Sequence, residues 1–319
     1  MSQPTFKNSF TRKYRKGPYS RISPTQPALS ASGKTVLITA GHTGIGFAIA
    51  SNFALACAAH VIIVGRRQNM LEKASKDLSR AHPATNFHIF AASIIDEAAV
   101  STAFRKIRQD IAEPDVLVTS AAYFPSSTNV LETPMQQMWA SFETNVRGNL
   151  NLVREFLNAP RPKGVSLTNQ SPKRDKIILD VSSAATHVFV RKTGVYSASK
   201  LAFTRILATA QDESSSLSQN FNLRIHSFHP GVVLTQIGRD NDHNEDTMPW
   251  DDVQLPGQFA VWLASPEAEF LKGRFVWANW DVDELLDGKE RILKENLLKI
   301  GLVRKAEWAI ALRRNTWKL

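Results

Sequence analysis

Residues 34–59 read KTVLITAGHTGIGFAIASNFALACAA, and this stretch decides the fold. Its first apolar run predicts a buried strand, and its last run, from residue 47, predicts a helix. Gly41, Gly44 and Gly46 form the turn between them. Glycines in a strand–turn–helix context let the backbone approach a pyrophosphate, and the helix N-terminus adds N–H groups and a positive dipole. The stretch therefore predicts a dinucleotide site, and a glycine-rich connection without a ligand is the alternative.

Beyond this stretch, short apolar runs alternate with helical patterns. The predicted strands are residues 34–40, 60–65, 87–92, 115–120, 176–181, 223–228 and 273–277. The predicted helices are residues 47–59, 68–81, 96–107 (with Asp96 as N-cap), 134–158, 194–212 and 256–264. Such a pattern is typical of an α/β fold in which helices cover both faces of a doubly wound, largely parallel sheet. A ligand is then expected at the carboxyl ends of the strands.

The chain divides into three parts. We predict an N-terminal arm over residues 1–33, a single Rossmann-like domain over 34–285 and a helical tail over 286–319. The first part is polar and basic and includes Pro18, Pro24 and Pro27, so we expect it to lie along the domain, with a mitochondrial transit peptide as the alternative. We predict a surface loop over residues 159–175. For residues 236–252 we predict a loop or short helices over a cleft.

Composition narrows the class of protein. The chain has 319 residues, 43% of them apolar, which is ample for a core, and it contains no apolar run long enough to cross a membrane. Cys57 is the one cysteine, so an internal disulfide is excluded and a cysteine-based metal site is unexpected. A single thiol favours the reducing cytoplasm. Its neighbours predict a buried helical thiol. The net charge of +10 is scattered, which favours attraction of an anionic cofactor, with nucleic-acid binding as the alternative.

Arg66 and Arg67 follow the second predicted strand. NAD-binding proteins often place an acidic residue there, where it bonds the ribose hydroxyls. A guanidinium at this position instead pairs with a 2′-phosphate. The sequence thus predicts NADP in preference to NAD, and two surface arginines without a ligand are the alternative.

Tyr196 and Lys200 are four residues apart, a spacing that stacks them on one face of a helix. An ammonium beside a phenol lowers the phenol pKa from its usual value of about 10 and fits the phenol for proton transfer. Ser183 closes the fifth predicted strand, so its hydroxyl points to the same place. The three side chains suit proton transfer at a carbonyl or alcohol, and a surface tyrosine beside a solvated lysine is the alternative.

Taken together and in this order, the motifs resemble the short-chain dehydrogenase/reductase family over about residues 34–280. Residues 39–46 correspond to its Thr-Gly-x-x-x-Gly-x-Gly pattern, and residues 230–235 to the turn that holds the nicotinamide carboxamide. The catalytic residues implied by the resemblance are Asn145, Ser183, Tyr196 and Lys200. The cofactor-binding residues predicted are Gly41, Thr43, Gly44, Ile45, Gly46, Arg66, Ser93, Ala121, Asn145, Tyr196, Lys200, Val233 and Thr235.

The sequence departs from the family pattern at several positions. Ala40 replaces the first motif glycine, Ser93 stands where an aspartate is usual, and residues 119–122 replace Asn-Asn-Ala-Gly. Residues 280–283 follow the last strand in place of Asp-Gly-Gly. None of these changes removes a reacting group. They leave open a repurposed fold that catalyses a non-redox step or only binds NADP.

The resemblance implies an NADP(H)-dependent oxidoreductase that transfers a hydride between the nicotinamide and a ketone or secondary alcohol. Tyr196 is then the proton donor or acceptor, Ser183 holds the substrate oxygen, and Asn145 fixes a water beside Lys200. Candidates for an apolar substrate pocket are Phe124, Phe189 and Trp250, with ordinary packing as the alternative. The N-terminal arm and residues 270–286 are similar to fungal members, many of which act in secondary metabolism. We expect a homodimer or homotetramer, and neither a nucleic-acid nor a membrane partner.

Overall fold

One parallel sheet of seven strands forms the centre of the molecule. A computed structural model describes residues 9–125, 129–158, 174–214 and 221–301. The strands are β1 Thr35–Thr39, β2 His60–Gly65, β3 Asn86–Ala91, β4 Val116–Thr119, β5 Arg174–Val181, β6 Phe221–His229 and β7 Phe275–Trp277. They lie in the order β3-β2-β1-β4-β5-β6-β7, and every neighbouring pair is parallel. The order reverses between β1 and β4, which makes this the switch point where α/β proteins bind ligands.

Helices cover both faces of this sheet. They are α1 Gly44–Leu55, α2 Gln68–Ala81, α3 Glu97–Asp110, α4 Met135–Phe142, α5 Asn149–Leu157, α6 Gly194–Ser214, α7 Gln236–Arg239, α8 Gln254–Ala264, α9 Val282–Asp287 and α10 Lys289–Lys294. Helices α1, α2 and α8 bury apolar side chains on one face, and α3, α5 and α6 do so on the other. The predicted doubly wound, single-domain α/β fold is therefore confirmed.

The strands read as unbroken apolar runs because both faces of the sheet are buried. In β1, Val36 and Ile38 belong to the core under α1 and α8, whereas Leu37 belongs to the core under α3 and α6. The side chains alternate between faces as the pleat requires, and no face is left for solvent. This arrangement fixes the register of β1, since a slip by one residue would exchange the two cores.

The predicted helix over residues 134–158 is helical throughout but not uniform. Helices α4 and α5 are joined without a break by a π-helical segment, Glu143–Gly148. Such segments are rare and often mark functional sites. Asn145 lies within it and is buried. The predicted N-cap of α3 is also confirmed, because the Asp96 carboxylate accepts from the Ala99 N–H.

Residues 9–33 pack against the domain near its C-terminal helices. Ile22 and Leu29 are buried in the core beneath α8. The guanidinium of Arg15 donates twice to the buried Asp281 carboxylate, at 2.9 and 2.6 Å. Asp281 also caps α9 by accepting from the Glu284 N–H. The residues that replace Asp-Gly-Gly after the last strand therefore anchor the N-terminal segment.

Two predictions need comment. Cys57 is exposed rather than buried, because α1 ends at Leu55 and Cys57 lies in the turn before β2 with φ +67°. The predicted buried helical thiol is therefore wrong. Residues 1–8, most of the predicted loop over 159–175, and residues 302–319 lie outside the described residues. No helix in the described part of the chain is long and apolar enough to cross a bilayer.

Candidate active site

The glycine turn between β1 and α1 is closely packed, and a side chain at two of its glycines would clash with neighbouring atoms. A Cβ on Gly46 would lie 2.5 Å from the Ala40 carbonyl oxygen, and one on Gly41 would lie 2.6 Å from Cγ2 of Ile63. Gly44 adopts the left-handed φ of +51°. Thr43 makes no side-chain cap to α1, so the first N–H groups of the helix have no partner within it. These N–H groups and the helix dipole fit a pyrophosphate.

Ala40 takes the place of the first motif glycine and adopts a left-handed φ of +52°. This conformation crowds Cβ of an L-residue against the carbonyl oxygen and costs about 1–2 kcal/mol. Its N–H donates to the Val64 carbonyl oxygen at 2.8 Å, which ties the residue to β2. The turn therefore keeps the shape that a glycine would give it, at some cost in stability.

Basic groups gather at the end of β2 beside this turn. Arg66 and Arg67 are exposed, and neither pairs with a carboxylate of the described residues. The His42 ring lies against Gly65, where an added Cβ would be 3.0 Å from its Nδ1. This buried nitrogen has no hydrogen-bond partner, and burial followed by the charges of Arg67 and Arg66 lowers the His42 pKa. The cluster fits a phosphate, and His42 is a member that the sequence did not single out.

The ends of β3 and β4 bring two more predicted residues to the same edge of the sheet. Ser93 and Ala121 are half-buried and lie two residues beyond their strands. The Thr39 hydroxyl of β1 accepts from the N–H groups of Ser120 and Ala121, at 3.0 and 2.9 Å. This contact holds residues 119–122 beside the glycine turn although the family asparagines are absent.

The turn after β6 faces the glycine turn. Thr235 lies against Gly44, since an added Cβ there would be 3.4 Å from its Cγ2. Gly231 adopts φ +93°, and the Asp251 carboxylate accepts from the next N–H, that of Val232, at 2.8 Å. Asp251 also accepts from Asn279 Nδ2 at 2.9 Å. Asp251 thus fixes the turn that carries the predicted residues Val233 and Thr235, which are half-buried.

Tyr196 and Ser183 meet at the end of β5. The Ser183 side chain lies close enough to the Tyr196 phenol to lower its pKa, and the Phe124 ring lies 4.8 Å from the Tyr196 ring between centroids. Ser183 also begins a short helical turn, in which its Oγ accepts from the Ala185 N–H at 3.2 Å. The structure therefore brings together the phenol and the hydroxyl that the sequence pairs.

Lys200 lies one turn further along α6 and is buried. Its Nζ donates to the Val181 carbonyl oxygen at 2.6 Å. Burial lowers the Lys200 pKa, and the Asp180 carboxylate opposes this effect. Burial raises the Tyr196 pKa well above its usual value, Asp180 raises it further, and the bond from Ser183 opposes them. Lys200 is not among the groups that shift the Tyr196 pKa, so the predicted lowering of the phenol pKa by Lys200 is not seen.

Both polar atoms of the Asn145 side-chain amide are hydrogen-bonded within the site. Its Oδ1 accepts from the Tyr123 N–H at 2.7 Å. Its Nδ2 donates to the Tyr123 carbonyl at 2.8 Å and to Ser199 Oγ at 2.9 Å. The π-helical segment is thereby fastened both to the residues after β4 and to α6, between Tyr196 and Lys200.

Two histidines hold the loop that follows Ser183. The buried His229 accepts from the Ala184 N–H through Nδ1 at 3.1 Å, and burial lowers its pKa to about 3, so the ring is neutral. Trp277 donates from Nε1 to His187 Nε2 at 3.1 Å. These contacts join residues far apart in sequence, and only the fold reveals them. They give His187 a role in positioning the loop.

Large apolar side chains surround the entrance to the site. Phe189 is 90% exposed and Leu131 97% exposed, on loops next to Ser183 and to the start of α6. The second loop touches α6, because a Cβ on Gly194 would lie 2.3 Å from Cγ2 of Val130. Trp250, half-buried, instead packs in its own loop, where it donates to the Asn244 carbonyl at 2.7 Å. We call Val130, Leu131 and residues 188–190 the apolar rim.

Known proteins resemble this chain in sequence and in fold. Residues 34–246 match the family model described as short chain dehydrogenase. A short chain dehydrogenase/reductase of Aspergillus novofumigatus is 36% identical over 92% of this chain and 96% of its own length. One of Claviceps purpurea is 36% identical over 92% and 94%. A Shigella flexneri structure, a short chain dehydrogenase complexed with NADP, superposes with a TM-score of 0.67 at 18% identity, covering 79% of this chain and 99% of its own.

These findings identify the chain as an oxidoreductase built on a Rossmann-like sheet. The chain belongs to the short-chain dehydrogenase/reductase family. The bacterial structure shows the shared fold. Among the residues that the structure describes, no group of three or more His, Cys, Asp or Glu side chains lies close enough together to hold a metal.

Proposed function

We propose that this protein is an NADP(H)-dependent oxidoreductase that interconverts a ketone and a secondary alcohol on an apolar small molecule. The observation that carries the proposal is the Tyr196 phenol beside Ser183 and the buried Lys200, at the carboxyl edge of the sheet. The glycine turn lies at the same edge. A proton donor and a candidate dinucleotide site are thus on one edge of the sheet, as this reaction requires.

The cofactor site is assembled from several elements. The first N–H groups of α1 (Gly44, Ile45 and Gly46) would hold the pyrophosphate, and Arg66, Arg67 and His42 the 2′-phosphate. Ser93 and Ala121 would border the adenosine, Lys200 would bond the nicotinamide ribose, and Val233 and Thr235 its carboxamide. When bound, the nicotinamide supplies or takes up the hydride. The relatives from Aspergillus novofumigatus and Claviceps purpurea are fungal proteins. On this basis we propose a role in fungal secondary metabolism.

The proton chemistry belongs to the chain itself. Ser183 would donate a hydrogen bond to the substrate oxygen, as one oxyanion-stabilising group. Tyr196 would give its proton to that oxygen in reduction and accept it in oxidation. Because burial raises the pKa of this phenol, the phenol keeps its proton near neutral pH and is available as the acid in ketone reduction. Asn145, with its amide held in place, would support the proton path beside Lys200.

The apolar rim supports an apolar substrate. Burying an exposed phenylalanine side chain such as Phe189 stabilises a complex by about 1.5–3 kcal/mol. Phe124 at the Tyr196 ring extends the apolar surface inward. The rim side chains themselves are apolar, and the exposed Glu132, Arg191 and Lys192 adjoin them. The cytoplasmic location stays a prediction.

A homodimer or homotetramer is part of the proposal. Trp139 of α4 is 61% exposed, and Ile206 of α6 is partly exposed as well. We propose that the chains associate through the two helices, α4 and α6, that carry these side chains. Sedimentation equilibrium of the wild type and of Trp139→Glu tests this point: we expect an oligomer that the charge weakens. A monomeric wild type would contradict it.

The test of the activity is a panel of apolar and polar ketones with NADPH and, separately, NADH. We expect NADPH oxidation with apolar ketones and slower oxidation of NADH. Fluorescence titration measures binding of each cofactor in the same samples. Tight NADPH binding without turnover of any ketone or alcohol would favour a repurposed fold over an oxidoreductase of this kind.

A further inference from the structure

Asp180 is a completely buried carboxylate directly behind the candidate catalytic residues. It lies in β5, where its Oδ2 accepts from Thr204 Oγ1 at 3.0 Å and its Oδ1 from Thr119 Oγ1 at 3.5 Å. Ser227 of β6 is a third hydroxyl partner. All of these partners are uncharged. A buried carboxylate costs several kcal/mol of desolvation unless a cation compensates it, so hydroxyl groups alone do not account for Asp180.

Helix α6 provides the cation. Tyr196, Lys200 and Thr204 recur every four residues and therefore share the face of α6 that covers β5. Thr204 bonds the Asp180 side chain, while Lys200 bonds the carbonyl of the next residue, Val181, at 2.6 Å. The ammonium and the carboxylate thus reach β5 at consecutive residues. Of the three, Tyr196 lies nearest the cleft and Thr204 furthest inside.

The charged group that acts on Asp180 is Lys200 of α6. Burial raises the Asp180 pKa and the charge of Lys200 opposes it, while β4 and β6 contribute only the hydroxyls of Thr119 and Ser227. In return, Asp180 opposes the lowering of the Lys200 pKa by burial. Asp180 also adds to the raised pKa of Tyr196.

We propose that Asp180 is a positioning residue that keeps Lys200 an ammonium in its buried position and sets the proton affinity of Tyr196. This inference rests on the proposed function of Tyr196 as the proton donor. Asp180 touches neither substrate nor cofactor and acts through the two side chains on α6. Its effect is therefore on the pH range in which the site works.

The sign of the effect follows from charge. In Asp180→Asn a neutral amide of similar shape replaces the carboxylate. Lys200 loses its compensating charge and the Tyr196 phenol loses a repelling one, so both groups release their protons at lower pH. Ketone reduction requires the protonated phenol, so its rate falls at a lower pH than in the wild type. One nearby charge moves a pKa by about 1–3 units, and we expect a shift of at least about one pH unit.

The experiment compares the wild type, Asp180→Asn and Thr204→Val. The control removes a hydrogen bond to the same carboxylate and leaves its charge. The pH dependence of kcat is measured with NADPH and a ketone that the wild type reduces. We expect the alkaline limb of Asp180→Asn to move down and that of Thr204→Val to stay near the wild type. An unmoved limb in Asp180→Asn, whatever its loss of rate, would overturn the proposal and leave Asp180 a structural residue.

A second readout does not depend on turnover. The phenolate absorbance of each protein is titrated against that of its Tyr196→Phe counterpart, which isolates one of the four tyrosines. We expect ionisation at lower pH in Asp180→Asn, and equal titrations would contradict the proposal. If the wild type reduces no ketone, the proposed function fails, while this titration still decides the role of Asp180.

A double variant keeps the test valid if Asp180→Asn does not fold. Removing both charges, in Asp180→Asn with Lys200→Met, leaves neither group unbalanced. We expect this double variant to be more stable to heat than Lys200→Met alone, in which the carboxylate is left without its cation. A double variant no more stable than Lys200→Met would show that the two charges do not compensate each other and would overturn the proposal.

Discussion

The glycine turn and the apolar rim lie at the same edge of the sheet, but the turn is tightly packed and the rim is exposed. In the turn, contacts of 2.5 and 2.6 Å from Cβ positions on Gly46 and Gly41 leave no room for any other residue. In the rim, Phe189 and Leu131 are 90% and 97% exposed. Internal packing dictates the first region, whereas nothing within the described chain accounts for the second. We therefore propose that the packing of the fold itself shapes the cofactor site, whereas exposed side chains of the rim determine substrate choice.

The largest expected effect comes from overfilling the turn. Gly46→Val places a branched side chain against the Ala40 carbonyl, which we expect to lower the free energy of unfolding by about 1–3 kcal/mol and to abolish NADPH binding. Gly17→Ala is the matched control, because its Cβ would make only an ordinary contact at 3.7 Å with Asp252. Thermal unfolding and fluorescence titration measure both. Wild-type NADPH affinity in Gly46→Val would break the comparison.

Removing the two exposed arginines should act on the cofactor alone. In Arg66→Ala with Arg67→Ala, a 2′-phosphate loses charged hydrogen bonds worth about 1.5–3 kcal/mol each, so NADPH binding should weaken by about tenfold or more. NADH binding should stay as it is. Lys73→Ala, an exposed cation on α2, is the control and should change neither. An equal loss for both cofactors would remove the arginines from 2′-phosphate recognition.

Changes in the rim should alter substrate use without altering stability. Phe189→Ser removes an exposed ring, so we expect the unfolding free energy to change by no more than about 0.5 kcal/mol. The KM for an apolar ketone should rise about tenfold as apolar contact is lost. Leu293→Ser, a partly exposed leucine on α10, should leave KM unchanged. A marked loss of stability in Phe189→Ser would mean that the ring packs within the protein.

The smallest effect should be a gain. Ala40→Gly relieves the left-handed φ of +52° and should raise the free energy of unfolding by about 1 kcal/mol, while NADPH binding stays similar. Ala31→Gly, at a buried alanine before β1, is a control that should lower stability. Chemical denaturation of the three proteins decides the matter. A loss of stability in Ala40→Gly would show that the turn is not strained there.

Local chemistry explains which features the sequence predicted. The strands, the Asp96 cap and the glycine turn depend on neighbouring residues, and their patterns are visible in the chain. The pKa of Tyr196 was predicted with the wrong sign, because it depends on burial by the whole fold. Cys57 was misplaced because a helix end shifted by a few residues reverses exposure.

Positioning residues were missed for a different reason. Asp251 reaches back to Val232, and His229 to Ala184, so each partner lies far away in sequence. Neither Asp251, in a loop, nor His229, at the end of β6, carries a periodic signal. Asp180, inside an apolar strand, is the one such residue with a visible signal, since a charge in a fully buried run needs a compensating partner.

The central claim is that Tyr196 delivers the proton to a substrate that takes its hydride from NADPH bound beside it. Its most direct test is transfer of deuterium from labelled NADPH to a ketone, in the wild type and in Tyr196→Phe, with Tyr14→Phe as a phenol-removal control. We expect labelled alcohol from the wild type and the control. Tyr196→Phe should be about 10²–10⁴-fold slower and bind NADPH as the wild type does. Equal rates in Tyr196→Phe and the wild type would contradict the claim.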